Sequence, residues 1–190
     1  MLDVRTILRR GIAMQESGGE EDPWTRTRLS KTLGGSTAYG PLQITGSTLD
    51  DLTDEQLELK GLSKLTDSEK KLIKKLKDQA KKFNEYGNEQ DKEGYDSRYD
   101  YGGSGEGLTS EEKSTYWDLG DRLFRLKASY RGYDADRLDP VQEAEVIGDW
   151  YGRDREFTPE YTASVLDHLK QYRGDGMISR NPYPHNPRPI

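Results

Sequence analysis

Glu16 and Ser17 close an apolar stretch and are followed at once by Gly18 and Gly19. Glycine pairs stop helices, so the pattern puts a carboxylate on the last turn of a helix, beside a loop that can shape itself around a ligand. Such a group is suited to moving a proton. The rest of the inventory narrows the chemistry by elimination. There is no cysteine, which excludes thiolate nucleophiles, disulfides and cysteine-ligated zinc. His168 and His185 form no H-x-x-x-H pair, His168 falls inside a helical pattern, and no G-x-x-x-x-G-K-[ST] phosphate loop occurs. Asp134, Asp136 and Glu145 approach calcium-loop positions, but Leu138 and Asp139 spoil the series. No metal and no cofactor is therefore expected. Glycoside cleavage is the reaction class a carboxyl group can drive without metal, thiol or imidazole. It requires an acid kept protonated near neutral pH by desolvation, and a helix end walled by apolar neighbours is the right type of setting.

The elements that must hold this group are helices. Val4, Ile7, Leu8, Gly11, Ile12 and Gln15 share one face of a helix over residues 4–16, with Asp3 as its cap. Residues 17–40 are loop-like, and short strands are expected around 36–45. A short helix follows from Thr48 to about Leu62. The strongest helical pattern comes next, with Leu65, Leu72, Ile73, Leu76, Ala80 and Phe83 at helical spacing and Asp67 or Ser68 as cap. Residues 84–107 are rich in Gly, Tyr and Asp, nearly devoid of aliphatics, and predict a long loop. Thr109 and Glu112 form a capping box ahead of a stripe of Tyr116, Leu119, Leu123 and Leu126. Asp139-Pro140 and Thr158-Pro159 each start a further helix, the second ending at Gly174. The four prolines of "NPYPHNPRPI" predict an extended tail.

Composition sets the outer bounds. A chain of 190 residues suits one domain, yet 31% of residues are apolar and 34% charged, so a long segment must lie outside the core. The mean hydropathy of -1.04 says the same. A net charge of -6 argues against nucleic-acid binding. No apolar run is long enough for a transmembrane segment. Asp3, Arg5, Arg9 and Arg10 interrupt the N-terminal stretch, which is not a signal peptide. Lys70, Lys71, Lys74, Lys75, Lys77, Lys81 and Lys82 line one helix. They read either as a solvated face or as a grip on anionic polymers or a membrane surface.

Two motifs taken together carry a resemblance. Glu16-Ser17-Gly18 at a helix end, then "AYGPLQI" with Ala38, Gly40, Gln43 and Ile44, resembles the soluble lytic transglycosylase and goose-type lysozyme superfamily. Pro41 and Leu42 replace the usual Leu-Met pair. Downstream, "DLGDRLFRLKASYRG" is similar to the family's Gly-x-x-x-Leu helix. "DWYGRD" falls where the family has Ala-Tyr-Asn-x-Gly, with Gly152 in place of the asparagine. "TPEYTASVL" is similar to its Thr-x-x-Tyr-Val-x-x-Val helix.

The resemblance implies a mainly α, lysozyme-like domain over residues 1–175 with a long charged insertion at about 53–108, followed by a Pro-rich tail at 176–190. It implies that Glu16 is the catalytic acid and that Ser17, Tyr39, Gln43, Tyr151 and Tyr161 bind substrate. Other readings stay open: Ser17 as a helix-end hydrogen-bonder, Gln43 as a tie within its turn, and the tyrosines as core aromatics. The implied reaction is cleavage of the MurNAc–GlcNAc β-1,4 bond of peptidoglycan with one carboxylate. Protonated Glu16 donates to the leaving oxygen, then takes the C6 hydroxyl proton to leave a 1,6-anhydro end. The alternatives are a hydrolytic lysozyme or endolysin, with Glu20, Glu21 or Asp22 as a second carboxylate about 6.5–9.5 Å away, and a lysozyme-like structural virion protein without activity. The expected partners are peptidoglycan glycan strands and other virion proteins. A phage origin follows, with the protein carried in the virion or made in the host cytoplasm and acting on the wall.

Overall fold

Apolar residues at helical spacing dominate the pattern, and the chain folds accordingly into a mainly α structure. The computed structural model describes residues 2–18, 24, 27–30, 36–92, 107–152 and 158–173, of which 27–30, 36–37 and 80–92 are described by their backbone. The helices are α1 (Val4–Thr6), α2 (Ala13–Ser17), α3 (Gly46–Asp50), α4 (Asp54–Leu59), α5 (Asp67–Lys92), α6 (Ser110–Tyr130), α7 (Pro140–Tyr151) and α8 (Thr158–Leu169). A π-helical stretch, Ile7–Ile12, joins α1 to α2, and a 3₁₀ turn, Lys170–Tyr172, follows α8. Three short strands, β1 (Thr27–Ser30), β2 (Ser36–Tyr39) and β3 (Ile44–Thr45), form an antiparallel sheet in that order. Tyr39 pairs with Thr27 on one side and Ile44 on the other.

The start signals act as the residue types dictate. Asp3 accepts the Thr6 amide at 2.9 Å, and the Thr109/Glu112 and Asp139/Gln142 boxes close reciprocally, the latter with Pro140 at the first helical turn. Two caps differ from expectation. Thr66, not Asp67 or Ser68, receives the Glu69 amide while Glu69 takes the Thr66 amide, because a Thr three residues before a Glu satisfies two donors at once. Thr158 sits within its helix and donates its hydroxyl to the Gly152 carbonyl at 2.7 Å.

α6 is the axis of the core. Tyr116, Leu119, Leu123, Phe124, Leu126 and Ala128 along it are all buried, against Leu8 and Ile12 of the N-terminal segment, Val146 and Ile147 of α7, and Val165 of α8. Each fully buried leucine contributes about 1.5–3 kcal/mol relative to exposure. Gly120 admits Leu42 into the helix face: a Cβ there would stand 2.5 Å from Leu42 Cδ1.

Residues 53–76 separate the two groups of motifs in sequence but pack with them in space, since Leu57, Leu65, Leu72, Ile73 and Leu76 are buried in the same core. The helix expected to stop at Phe83 continues to Lys92, so residues 84–92 are helical rather than loop. Glu85, Glu89, Gln90 and Lys92 are good helix formers and carry the helix through this stretch. Residues 93–106 of that predicted loop, the tail at 176–190 and the helix end at Gly174 lie outside the described residues. No described helix is long and apolar enough to cross a membrane.

Candidate functional site

The N-terminal segment ends as its sequence requires. Gly18 adopts the left-handed conformation (φ 64°) and its N–H donates to the Met14 carbonyl at 3.1 Å, which stops α2 one residue after Ser17. The buried Ser17 hydroxyl donates to the Ala13 carbonyl at 2.6 Å. This is the helix-end role among the two open to it.

Glu16 is half-buried and faces α8. The Tyr161 hydroxyl donates to Glu16 Oε1 at 2.8 Å, and the Tyr161 ring stacks on Tyr151 with centroids 4.7 Å apart and planes 20° from parallel. Burial, reinforced by the charge and hydrogen bond of Glu16, pushes the Tyr161 phenol far above its ordinary range, so it stays a proton-bearing donor. One turn along α8, the Ser164 hydroxyl donates to Gln15 Oε1 at 2.5 Å. The approach is possible because Gly11 leaves a notch: a Cβ there would lie 2.9 Å from Val165 Cγ1 and 3.0 Å from Leu169 Cγ. The pairing of Glu16 with Tyr161, 145 residues apart, is thus set by helix packing.

The second motif forms a tight turn between β2 and β3. Gly40 has φ +66°, and a Cβ on it would sit 2.8 Å from the Tyr116 ring, so both conformation and space demand glycine. Gln43 also has positive φ, 47°, which is uncommon for a side-chain-bearing residue. Its amide and its Nε2 both donate to the Gly40 carbonyl, at 3.1 and 2.8 Å. Gln43 therefore ties its own turn. The buried Tyr116 hydroxyl fastens the turn to α6: it donates to the Tyr39 carbonyl at 2.6 Å and accepts from the Leu42 amide at 3.1 Å. Trp150 Nε1 donates to the Leu42 carbonyl at 3.4 Å. Burial raises the Tyr116 pKa, and the charge of Glu16 adds to that rise, so the turn and the carboxylate share one electrostatic neighbourhood.

Among the residues implied by the resemblance, Glu16, Tyr151 and Tyr161 come together, while Gln43 sits in the turn that Tyr116 fastens. Tyr39 is different. Its ring is 5% exposed, on the strand face shared with Ile44, and its hydroxyl has no partner among the described residues. Its carbonyl, not its ring, is the part tied to Tyr116. Tyr116 and Trp150 were not visible as functional side chains in the sequence. The available signal was a tyrosine inside an otherwise aliphatic stripe, where a buried hydroxyl must find partners.

The remaining candidates resolve into ion pairs. Asp136 meets Arg125, and Glu145 meets Tyr133 and Arg131, so the calcium-like series is spent on salt bridges. No cluster of three metal-ligating side chains occurs among the described residues. On the lysine helix, Lys70 pairs with Asp54, Lys74 with Asp78, Lys75 with Glu112 and Lys77 with Asp50. These pairs agree with the solvated face of the two readings for Lys70, Lys74, Lys75 and Lys77. Glu20, Glu21, Asp22 and His185, together with the side chains of Lys81 and Lys82, lie outside the described residues. No family model, curated protein or solved structure matches the chain.

Proposed function

We propose that the chain is a peptidoglycan lytic transglycosylase that cleaves the MurNAc–GlcNAc β-1,4 bond with Glu16 as its acid and base. The observation that supports this most is the Glu16 carboxylate at a helix end, held by the stacked Tyr161 and within electrostatic reach of the Tyr116 that fastens the Gly40–Gln43 turn. While the Tyr161 phenol donates to Oε1, the transferable proton belongs on Oε2. Glu16 gives that proton to the glycosidic oxygen as the C1–O4 bond breaks. The resulting carboxylate takes the proton of the C6 hydroxyl as O6 closes onto C1. Atoms balance without water, and the products are a free 4-hydroxyl and a 1,6-anhydro end. Tyr161 acts through Glu16 by fixing its orientation, and the Tyr116-anchored turn supplies a rigid floor. Assembly into a phage particle is the setting in which such an enzyme would meet the wall, and it belongs to this reading.

Mass spectrometry of fragments released from purified sacculi tests it. Anhydro-muramyl ends are expected from the wild type and not from Glu16→Gln. Reducing ends would replace the transglycosylase by the two-carboxylate hydrolase. No fragments from a folded wild-type protein would leave the inactive structural reading in place.

A further inference from the structure

Among the described residues, most cations are spent on carboxylates: Arg5 meets Asp118 and Lys75 meets Glu112, for example. Arg9 and Lys113 differ: among the described residues each meets an indole instead. The Arg9 guanidinium lies 4.8 Å from the Trp117 ring centroid, and the Lys113 ammonium 5.3 Å from that of Trp24. The two indoles are themselves edge to face at 6.1 Å, and both meet Tyr116 edge-on, at 5.1 and 6.1 Å. Lys113 and Trp117 are four apart on α6 and so share a face. Arg9 stands seven residues before Glu16 on the N-terminal segment, roughly 10 Å along its axis at ~1.5 Å per residue. The patch is therefore continuous, through Tyr116, with the turn and the proposed acid.

We infer that Arg9, Lys113, Trp24 and Trp117 form a subsite for the carboxylate-bearing peptide stem of the glycan, a reading that rests on the proposed wall-cleaving function. The sugars of peptidoglycan are neutral where the lactyl carboxyl is amide-linked, so the anionic groups within reach of a cleaved strand sit on its peptide. An anion does not add to a guanidinium already neutralised by aspartate. It does add to one resting on an indole, because the cation–π contact orients the charge without cancelling it and lowers the cost of ordering a long side chain. The indole edges offer apolar surface to the stem's methyl and alkyl carbons.

The test uses the full chain with Glu16→Gln, which binds without turnover, and follows tryptophan fluorescence. The probes are a GlcNAc–MurNAc disaccharide bearing a tripeptide and the same disaccharide with its lactyl carboxyl capped as the uncharged methylamide. The tripeptide probe is expected to bind about tenfold tighter in low salt, the gap narrowing as salt screens it. Adding Arg9→Gln and Lys113→Gln should bring the two dissociation constants together. Arg10→Gln, whose guanidinium lies 5.6 Å from the Tyr172 ring, should leave the gap unchanged. Equal affinities for the two probes, or a gap that survives in the double variant or in high salt, would overturn the assignment. A retained gap in a protein whose wild type releases no fragments from sacculi would sustain the subsite and defeat the enzymatic reading. Cleavage with equal affinities would do the reverse.

Discussion

Two carboxylates, each seated between packed helices, show opposite designs. Glu69, 3% exposed, accepts from Arg122 at 2.5 Å and from the Thr66 amide at 2.6 Å. Burial alone would raise its pKa, but Arg122 and Thr66 outweigh that and hold it below the ordinary glutamate value. Arg122 also donates to the Ser63 carbonyl at 2.7 Å, so the pair fastens the α4–α5 connection to α6. Glu16 instead faces the phenol of Tyr161. A carboxylate opposite a guanidinium cannot take up a proton without stranding a cation. A carboxylate opposite a phenol is under no such constraint from that partner. The first arrangement suits a fastener, and the second is the contact that the proposed proton-transfer role of Glu16 would use.

That contrast can be broken at either end. The largest effect is expected from Glu16→Gln, which keeps size and hydrogen bonding but has no transferable proton. Release of wall fragments should fall by about 10²–10⁴-fold, with an unchanged circular dichroism spectrum; near-normal turbidity clearing by the folded variant would end the proton-transfer role. Next comes Arg122→Met, which leaves Glu69 buried without its cation and should cost about 3 kcal/mol in chemical denaturation. The specific activity of the folded fraction should not move, and a loss of activity would mean the two seams are coupled.

Tyr161→Phe is milder. The ring keeps its stack on Tyr151 while Glu16 loses the hydrogen bond that orients it, worth about 1 kcal/mol, so kcat should drop about fivefold with KM and melting temperature nearly constant. A shift in KM instead would make Tyr161 a substrate contact rather than a positioning residue.

The smallest effect lies in pH dependence and compares Glu69 with Glu143. Glu143 is buried against Arg173, and desolvation outweighs that pairing to leave its pKa raised above the ordinary 4.5. Its contribution is present below pH 4.5 and lost as pH rises through the elevated value. Glu69 has a depressed pKa, so its contribution is present above 4.5 and lost as pH falls. Denaturation midpoints measured against pH should therefore show Glu143→Gln gaining on the wild type as pH rises above 4.5, and Glu69→Gln gaining as pH falls. Parallel curves for the two variants would contradict both assignments.

Local features of this architecture were legible because local chemistry makes them. Gly18 had to end α2, Thr109 with Glu112 had to start α6, and Asp139-Pro140 had to start α7; each follows from donors within four residues of one another. Glu16 at a helix end belongs to the same class. What was not legible depends on distant partners. β1 carries a single aliphatic, Leu29, and exists through its register with β2. The contact of Tyr161 with Glu16 requires the notch at Gly11, which in sequence is merely a glycine in a helical pattern. Gln43 was readable as a motif residue, but its bonds to the Gly40 carbonyl follow from the turn's backbone. Tyr116 looked like one more stripe position until its hydroxyl met the Tyr39 carbonyl and the Leu42 amide.

The π-helical stretch Ile7–Ile12 has a consequence for how this segment can change over generations. There the Ala13 N–H reaches back five residues, to the Leu8 carbonyl, so one residue more is stored in the segment than a plain α-helix would hold. Deleting one residue there would restore ordinary α geometry and leave the two ends nearly in phase, because the wider turn absorbs the extra residue without adding rotation. With Gly11 and Gln15 seated on α8, Val4 would stay on the core side, whereas a deletion in a plain α turn would rotate it by about 100°. Glu16 would keep its bearing on α8 through such a loss, so this stretch should accept the removal of one residue more readily than the α turns on either side of it.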